Sequence, residues 1–153
     1  MAAVRLPPAE FAQVVRLTPL VSVDLVVRNA AGEMLVGWRR NRPARDTWFV
    51  PGGRVGKDER IADAFARLAR EELDAALTIA DARFLGVFEH LYDDNFAGEP
   101  GFGTHYIVLA YAAAAPATLT LPEAQHSRYR WMTDADLRAD PAVHPNTRAY
   151  AGR

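Results

Sequence analysis

Glu72 stands almost in line with Ile61, Phe65 and Leu68 when the chain is wound at about 100° per residue. A helix expected over Asp58–Leu73 therefore aims a carboxylate along the face it must pack. A buried carboxylate without a partner is costly. Glu72 thus either escapes to solvent at the helix end or faces a pocket and meets a cation or metal. Arg67 and Glu71, one turn apart, fit a surface ion pair worth about 0.3–0.5 kcal/mol. Ahead of this helix runs Trp48-Phe-Val-Pro-Gly-Gly-Arg54, whose two glycines let the backbone turn sharply and approach a ligand closely. Taken alone, that triplet is an ordinary turn signal; joined to the acidic helix it becomes a candidate ligand loop.

The chain has 4 histidines. His90 and His105 fall on successive expected strands and read as half-buried, hydrogen-bonded residues. His144, near the C-terminus, reads as structural or solvated. His126 lies in the loop Pro122-Glu-Ala-Gln-His-Ser127, where it is free to be exposed and to move, and an ordinary imidazole pKa of about 6.5 suits a base near neutral pH. Asp24 occupies the mixed face of an expected strand and reads either as a strand-edge charge in water or as a functional anion. Arg39, at a strand end, is open to the same two readings.

These residues need elements to hold them. Phe11 to Leu17 reads as a short N-terminal element. Leu20–Arg28 reads as a strand with Val21, Val23, Leu25 and Val27 on one face and Ser22, Asp24, Val26 and Arg28 on the other. A turn over Asn29–Gly32 and a strand over Met34–Arg39 complete a hairpin. Arg40–Asp46 is a polar loop, and Trp48-Phe-Val50 is a short strand ending at Pro51-Gly-Gly53. The helix over Asp58–Leu73 takes Asp58 as its N-cap, with Glu59 at the positive end of the dipole. Ala82–Tyr92, His105–Tyr111 and Arg128–Met132 read as strands, Thr133 caps a short helix, and a last helical turn follows Pro145. Helices set against several strands with hairpins indicate a mixed α+β domain, and no linker or repeat divides residues 1–153.

Composition narrows the chemistry. The chain has 153 residues, 18 Lys plus Arg against 19 Asp plus Glu, and is 50% apolar. That balance excludes wholesale disorder. It also excludes nucleic-acid binding by bulk charge, since there is no basic excess. No cysteine is present, so disulfides, thiolate metal sites and Cys nucleophiles are excluded. The start lacks the pattern of a signal peptide and no segment reaches the roughly 20 apolar residues of a membrane span, so the expected location is the cytoplasm.

Gly53, Glu59, Arg67, Glu71 and Glu72 stand at the spacings of G-x5-E-x7-R-E-U-x-E-E-x-G-U, where U is aliphatic. The chain therefore resembles the Nudix family. The resemblance implies an α/β/α sandwich around a mixed sheet, with a loop–helix–loop site for a divalent metal and a diphosphate. Two positions depart from the box: Leu68 replaces the Glu after Arg67, and Asp74 replaces the Gly. Runs outside the box are similar to a divergent branch of the family with the same defect, the GDP-mannose mannosyl hydrolases. They include Phe11-Ala-Gln-Val-Val-Arg16, Asn41-Arg-Pro-Ala44, Tyr92-Asp-Asp-Asn-Phe96, Thr104-His-Tyr106, Gln125-His126 and Arg148-Ala-Tyr150.

That similarity implies hydrolysis of a GDP-sugar, GDP-mannose or GDP-glucose, by water attack at sugar C1 with inversion. Carried over residue by residue, it assigns His126 as general base, with Arg39, Arg54 and Tyr106 on the departing diphosphate. Asp24 and His90 lie beside the cationic sugar. Mg²⁺, with Mn²⁺ as an alternative, is carried over to the Gly52 carbonyl, Glu72 and Gln125. Arg67 steadies the helix carboxylate, and Phe11 and Tyr92 are candidates to stack on the base or to pack in the core. A homodimer is expected by the same analogy. Two other readings stay open: a pyrophosphohydrolase acting at phosphorus through Glu71 and Glu72, and a silent nucleotide-binding module.

Overall fold

The computed structural model describes residues 5–117, 119–121 and 126–153, with the backbone alone at 126 and 127. Helix α1 (Pro8–Leu17) leads into β1 (Leu20–Arg28), β2 (Met34–Arg39), β3 (Trp48–Phe49) and β4 (Gly52–Arg54). Helix α2 (Ile61–Leu73) and a 3-10 turn (Ile79–Asp81) are followed by β5 (Ala82–Tyr92), β6 (Thr104–Ala114) and β7 (His126–Met132), then α3 (Asp134–Ala139) and α4 (Pro145–Arg148).

The sheet runs β3-β2-β1-β6-β5, with β4 paired to β1 and β7 to β2. β1 lies parallel to β6 along its whole length, while every other pairing is antiparallel. Its sequence explains this central place: the strand is buried from Ser22 to Val27 and has no solvent face to spend polar residues on. Val23, Leu25 and Val27 pack with Phe65, Leu68 and Leu73 of α2 on one side. Val26 packs with Phe49, Met132, Leu137 and Tyr150 on the other. The sheet is thus covered by α2 on one face and by the α3–α4 segment on the other, the expected mixed three-layer arrangement.

Three expectations are corrected. Asp58 is not the cap of α2: it adopts φ 63°, a left-handed conformation Asp tolerates, and the helix begins at Ile61 with Arg60 at its N-cap. Gly52 and Gly53 do not merely end a strand, because Gly52–Arg54 forms β4. The last strand starts earlier than Arg128, at His126.

β1 and β2 pair only at Arg28 and Met34. Beyond that point β2 joins β3 and β7, and β4 takes its place beside β1. The sheet forks there, and the fork is held by close backbone approach. A Cβ at Gly52 would lie 2.5 Å from the Val23 carbonyl oxygen and 2.8 Å from Asp24 Oδ1, whereas one at Gly53 would meet only the tip of the Leu68 side chain. Gly52→Ala should therefore cost about 2–3 kcal/mol, since rigid backbone cannot yield, and Gly53→Ala distinctly less. Urea unfolding of the two variants checks the order; equal losses would mean that β4 is not pinned at Gly52.

Candidate active site

The fork opens into a cavity of about 80 Å³ whose walls include Asp24, Arg39, Gly52, Arg54, His90, Tyr92 and Tyr106. Five elements separated in sequence supply these residues. Asp24 comes from the middle of β1, Arg39 from the end of β2, Gly52 and Arg54 from β4, His90 and Tyr92 from β5, and Tyr106 from β6. A second cavity of about 630 Å³ shares Arg39, Arg54 and Tyr106 and adds Phe11, Phe96, Arg40, Arg42 and Arg45. Two guanidinia and a phenol thus sit at the junction of a small acidic compartment and a larger cationic one.

Asp24 is not a strand-edge charge. It is 5% exposed, and Tyr150 donates its hydroxyl to Oδ2 at 2.7 Å. Burial raises its pKa to about 7, against the Tyr150 hydrogen bond and the Arg39 charge, which pull it down. His90 is buried as well, and burial, with His144 nearby, lowers its pKa to about 4, so the ring is neutral at pH 7. Burial also lowers Arg54 and raises Tyr106, and the two stabilise each other's charged forms. Arg39 donates through Nη2 to the Pro43 carbonyl at 3.2 Å, which bends the following loop over the cavity.

The helix carboxylates are divided. Arg67 grips Glu59 through Nε and Nη2, at 2.7 and 2.9 Å, and Glu71 through Nη1 at 2.9 Å. Its Nη2 also donates to the Arg54 carbonyl at 2.8 Å. Arg67 therefore clamps loop, helix and β4 together and does not line either cavity; its guanidinium is spent on protein partners. Glu59, expected in the first turn of the helix, precedes it and is held below the usual carboxylate range chiefly by Arg67. Glu72, by contrast, is 2% exposed on the face that packs against the sheet.

A divalent cation is tested against this donor set. Leu25 N–H donates to Pro51 O and Val55 N–H to Val21 O. In an antiparallel ladder this alternation turns the carbonyls of Gly52 and Arg54 away from β1. Arg54 O already meets Arg67, and Gly52 O points to the same side. A backbone carbonyl and the Glu72 carboxylate suit one hard cation completed by water. No group of three or more His, Asp or Glu able to hold a metal occurs among the described residues, so a multi-metal centre does not fit them. Gln125 lies outside the described residues. For His126 only the backbone is described, and it pairs with Arg39 across β7 and β2.

The aromatic candidates separate. Tyr92 lines the small cavity, with its hydroxyl accepting from Asn146 Nδ2 at 3.2 Å. Phe11 lines the large one but is covered, with the Arg54 guanidinium 3.8 Å from its ring centre and the Phe96 ring at 4.6 Å. Phe96, the more exposed of the two rings, lines the same cavity. His144 is structural, accepting from Asn146 N through Nδ1 to cap α4. His105 departs from expectation, since its Nε2 is buried with no hydrogen-bond partner among the described residues. The sequence did not single out Tyr150, Asn146 or Phe96, although Phe96 and Tyr150 fall in the similar runs.

Asp24 and His90 act on stability in opposite directions. Asp24, raised from 3.8 to about 7, costs stability that grows as pH rises through that window and is constant above it. His90, lowered from 6.5 to about 4, contributes stability present above 6.5 and lost as pH falls toward 4. Asp24→Asn should therefore stabilise most at pH 7 and above, and should make the chain more acid-sensitive between pH 6.5 and 4. His90→Gln should be less acid-sensitive than the wild type. Thermal unfolding in chelator between pH 4 and 8 reads both; parallel curves for all three proteins would contradict the burial of these groups.

Comparison with known proteins agrees with this geometry. Residues 18–151 match the family model described as NUDIX domain. The chain is 42% identical over 126 residues to the low-salt glycan biosynthesis protein Agl8 of Haloferax volcanii, covering 82% of this chain and 78% of that one. The structure resembles a MutT NUDIX hydrolase from Burkholderia pseudomallei, with a TM-score of 0.68, 26% identity and coverage of 86% and 95% of the two chains. In fold it also resembles the MutT protein from Methanosarcina mazei, with a TM-score of 0.68, 21% identity and coverage of 86% and 89%. With a family model that spans most of its length, the chain belongs to the Nudix hydrolase family.

Proposed function

We propose that this Nudix hydrolase cleaves a GDP-sugar, GDP-mannose or GDP-glucose, at the sugar C1 to release GDP and free sugar with inversion. The observation that carries the reading is the division of charge at the site. The box carboxylates Glu59 and Glu71 are held by Arg67, and Leu68 lies where the box calls for a further Glu. A carboxylate outside the box, Asp24, lies instead on the wall of the small cavity, which also carries Arg39 and Arg54. That arrangement suits a bond that breaks into a sugar cation and a diphosphate anion. The substrate then spans both cavities, with sugar beside Asp24 and His90, diphosphate on Arg39, Arg54 and Tyr106, and base against Phe96. The glycan-related name of the Haloferax relative supports a sugar-bearing substrate.

His126 serves as the base that takes a proton from the attacking water; the pairing of its backbone with Arg39 supports a position beside the junction. Asp24, ionised, lowers the energy of the oxocarbenium-like centre, and neutral His90 offers a polar contact to it. Arg39 and Arg54 take up the charge that moves onto the leaving diphosphate. Mg²⁺ held by the Gly52 carbonyl, Glu72 and Gln125 would neutralise diphosphate charge. The reading includes a homodimer, supported by Val87 and Leu91, which stand exposed on the edge strand β5.

Incubation with GDP-mannose, GDP-glucose and related nucleotide sugars in Mg²⁺ should yield GDP and free hexose, and chelation should abolish turnover. GMP with sugar 1-phosphate would establish attack at phosphorus, and tight binding without turnover a silent module; either overturns the reading. Arg39→Ala should lower kcat more than it raises KM, because its contact strengthens as the bond breaks. His126→Gln should lower kcat by about 10²–10⁴. Steady-state kinetics decides both, and an unchanged rate in either variant removes that residue from its role.

A further inference from the structure

Asp24 and Tyr150 are separated by 126 positions, yet their side chains form a buried hydrogen bond of 2.7 Å. Tyr150 is 0% exposed and lies just past α4, at the end of the chain. Its ring stands edge-on to Phe88, with centres 5.0 Å apart, so packing fixes where the hydroxyl points. The turn that carries it is itself tied to the wall of the site. Val50 N–H donates to Thr147 Oγ1 at 3.2 Å, and His144 N–H to the Trp48 carbonyl at 3.1 Å. Arg148 binds the carbonyls of Leu137, Asp140 and Val143, which closes α4 onto α3. The C-terminal segment therefore braces the strand-and-loop passage that ends at Gly52 while reaching across to β1.

The two oxygens of Asp24 have different surroundings. Oδ2 receives the Tyr150 hydroxyl, and Oδ1 lies against Gly52, where an added Cβ would stand 2.8 Å away. Tyr150 is absent from the lining of both cavities. We propose that Tyr150 is a positioning residue, whose hydroxyl, set by the packing of its own ring, holds one oxygen of Asp24 and so presents the other to the reacting sugar. A carboxylate in a dry site with a single free torsion at its end gains its catalytic value from orientation, since stabilisation of a developing charge depends on pre-set geometry. This rests on the proposed role of Asp24 at C1.

The test is a double-mutant cycle on kcat and KM with the GDP-sugar that the wild type turns over. Tyr150→Phe keeps the ring and removes the hydroxyl; kcat should fall about 10- to 100-fold with KM within about threefold. In an Asp24→Asn background the same change should have no further effect, because Tyr150 acts through Asp24. Thr147→Val is the structural comparison: it loosens the same turn but leaves the hydroxyl, so Tm should fall while kcat stays within about twofold. A Tyr150→Phe variant with the wild-type kcat overturns the proposal. So does an additive loss in the double variant, or a kcat loss in Thr147→Val equal to that in Tyr150→Phe. Free sugar released normally alongside any of those results sinks Tyr150 alone, whereas a wild type that releases no free sugar sinks the reading of the reaction and the proposal with it.

Discussion

The site depends on a carboxylate that the fold carries into its own middle. Asp24 sits on a strand buried on both faces, between β6 and β4, and is itself almost wholly shielded from solvent. Desolvation of that kind pushes a carboxyl toward its neutral form, and Tyr150 and the Arg39 charge work against it. The surrounding structure answers this one constraint. The fork between β1 and β2 exists because β4 takes over beside β1, and β4 fits there because Gly52 has no side chain to strike Val23 or Asp24. The C-terminal turn packs under the fork and supplies the hydroxyl.

A second set of interactions keeps the positive and negative charges apart. Arg67 collects Glu59, Glu71 and the Arg54 carbonyl into one clamp. Glu59 and Glu71 are thereby kept out of both cavities, while the Arg54 side chain faces Phe11 at the junction of the two. Isolated surface ion pairs contribute little to stability. This one is partly buried and bidentate on Glu59, which suits it to fixing the loop ahead of α2 relative to β4. The loop ahead of α2 and the helix thereby hold Arg67 and the Arg54 carbonyl in register.

Much of this was legible in the chain because it is periodic or local. The in-line spacing of Ile61, Phe65, Leu68 and Glu72 gives a helix with a buried carboxylate, and alternation gives β1 with Asp24 and Ser22 opposite its apolar face. The N-terminus of α2 was less legible. Asp58 looks like a cap, but it pairs with Lys57 in a left-handed turn, and Glu59 folds back to Arg67. What sequence could not reveal is contact across long separations. Nothing local to Tyr150 says that it donates to Asp24, and nothing near Phe11 says that Phe96 and Arg54 pack against its ring. Those facts arise only when the sheet order is set.

In the proposed reaction water attacks carbon and leaves the diphosphate whole. Hydrolysis of the GDP-sugar in ¹⁸O-water, with both products weighed by mass spectrometry before the free sugar exchanges its anomeric oxygen, tests it directly. The account predicts one ¹⁸O in the released sugar and none in GDP. Label in the nucleotide, or in a sugar phosphate, would contradict it.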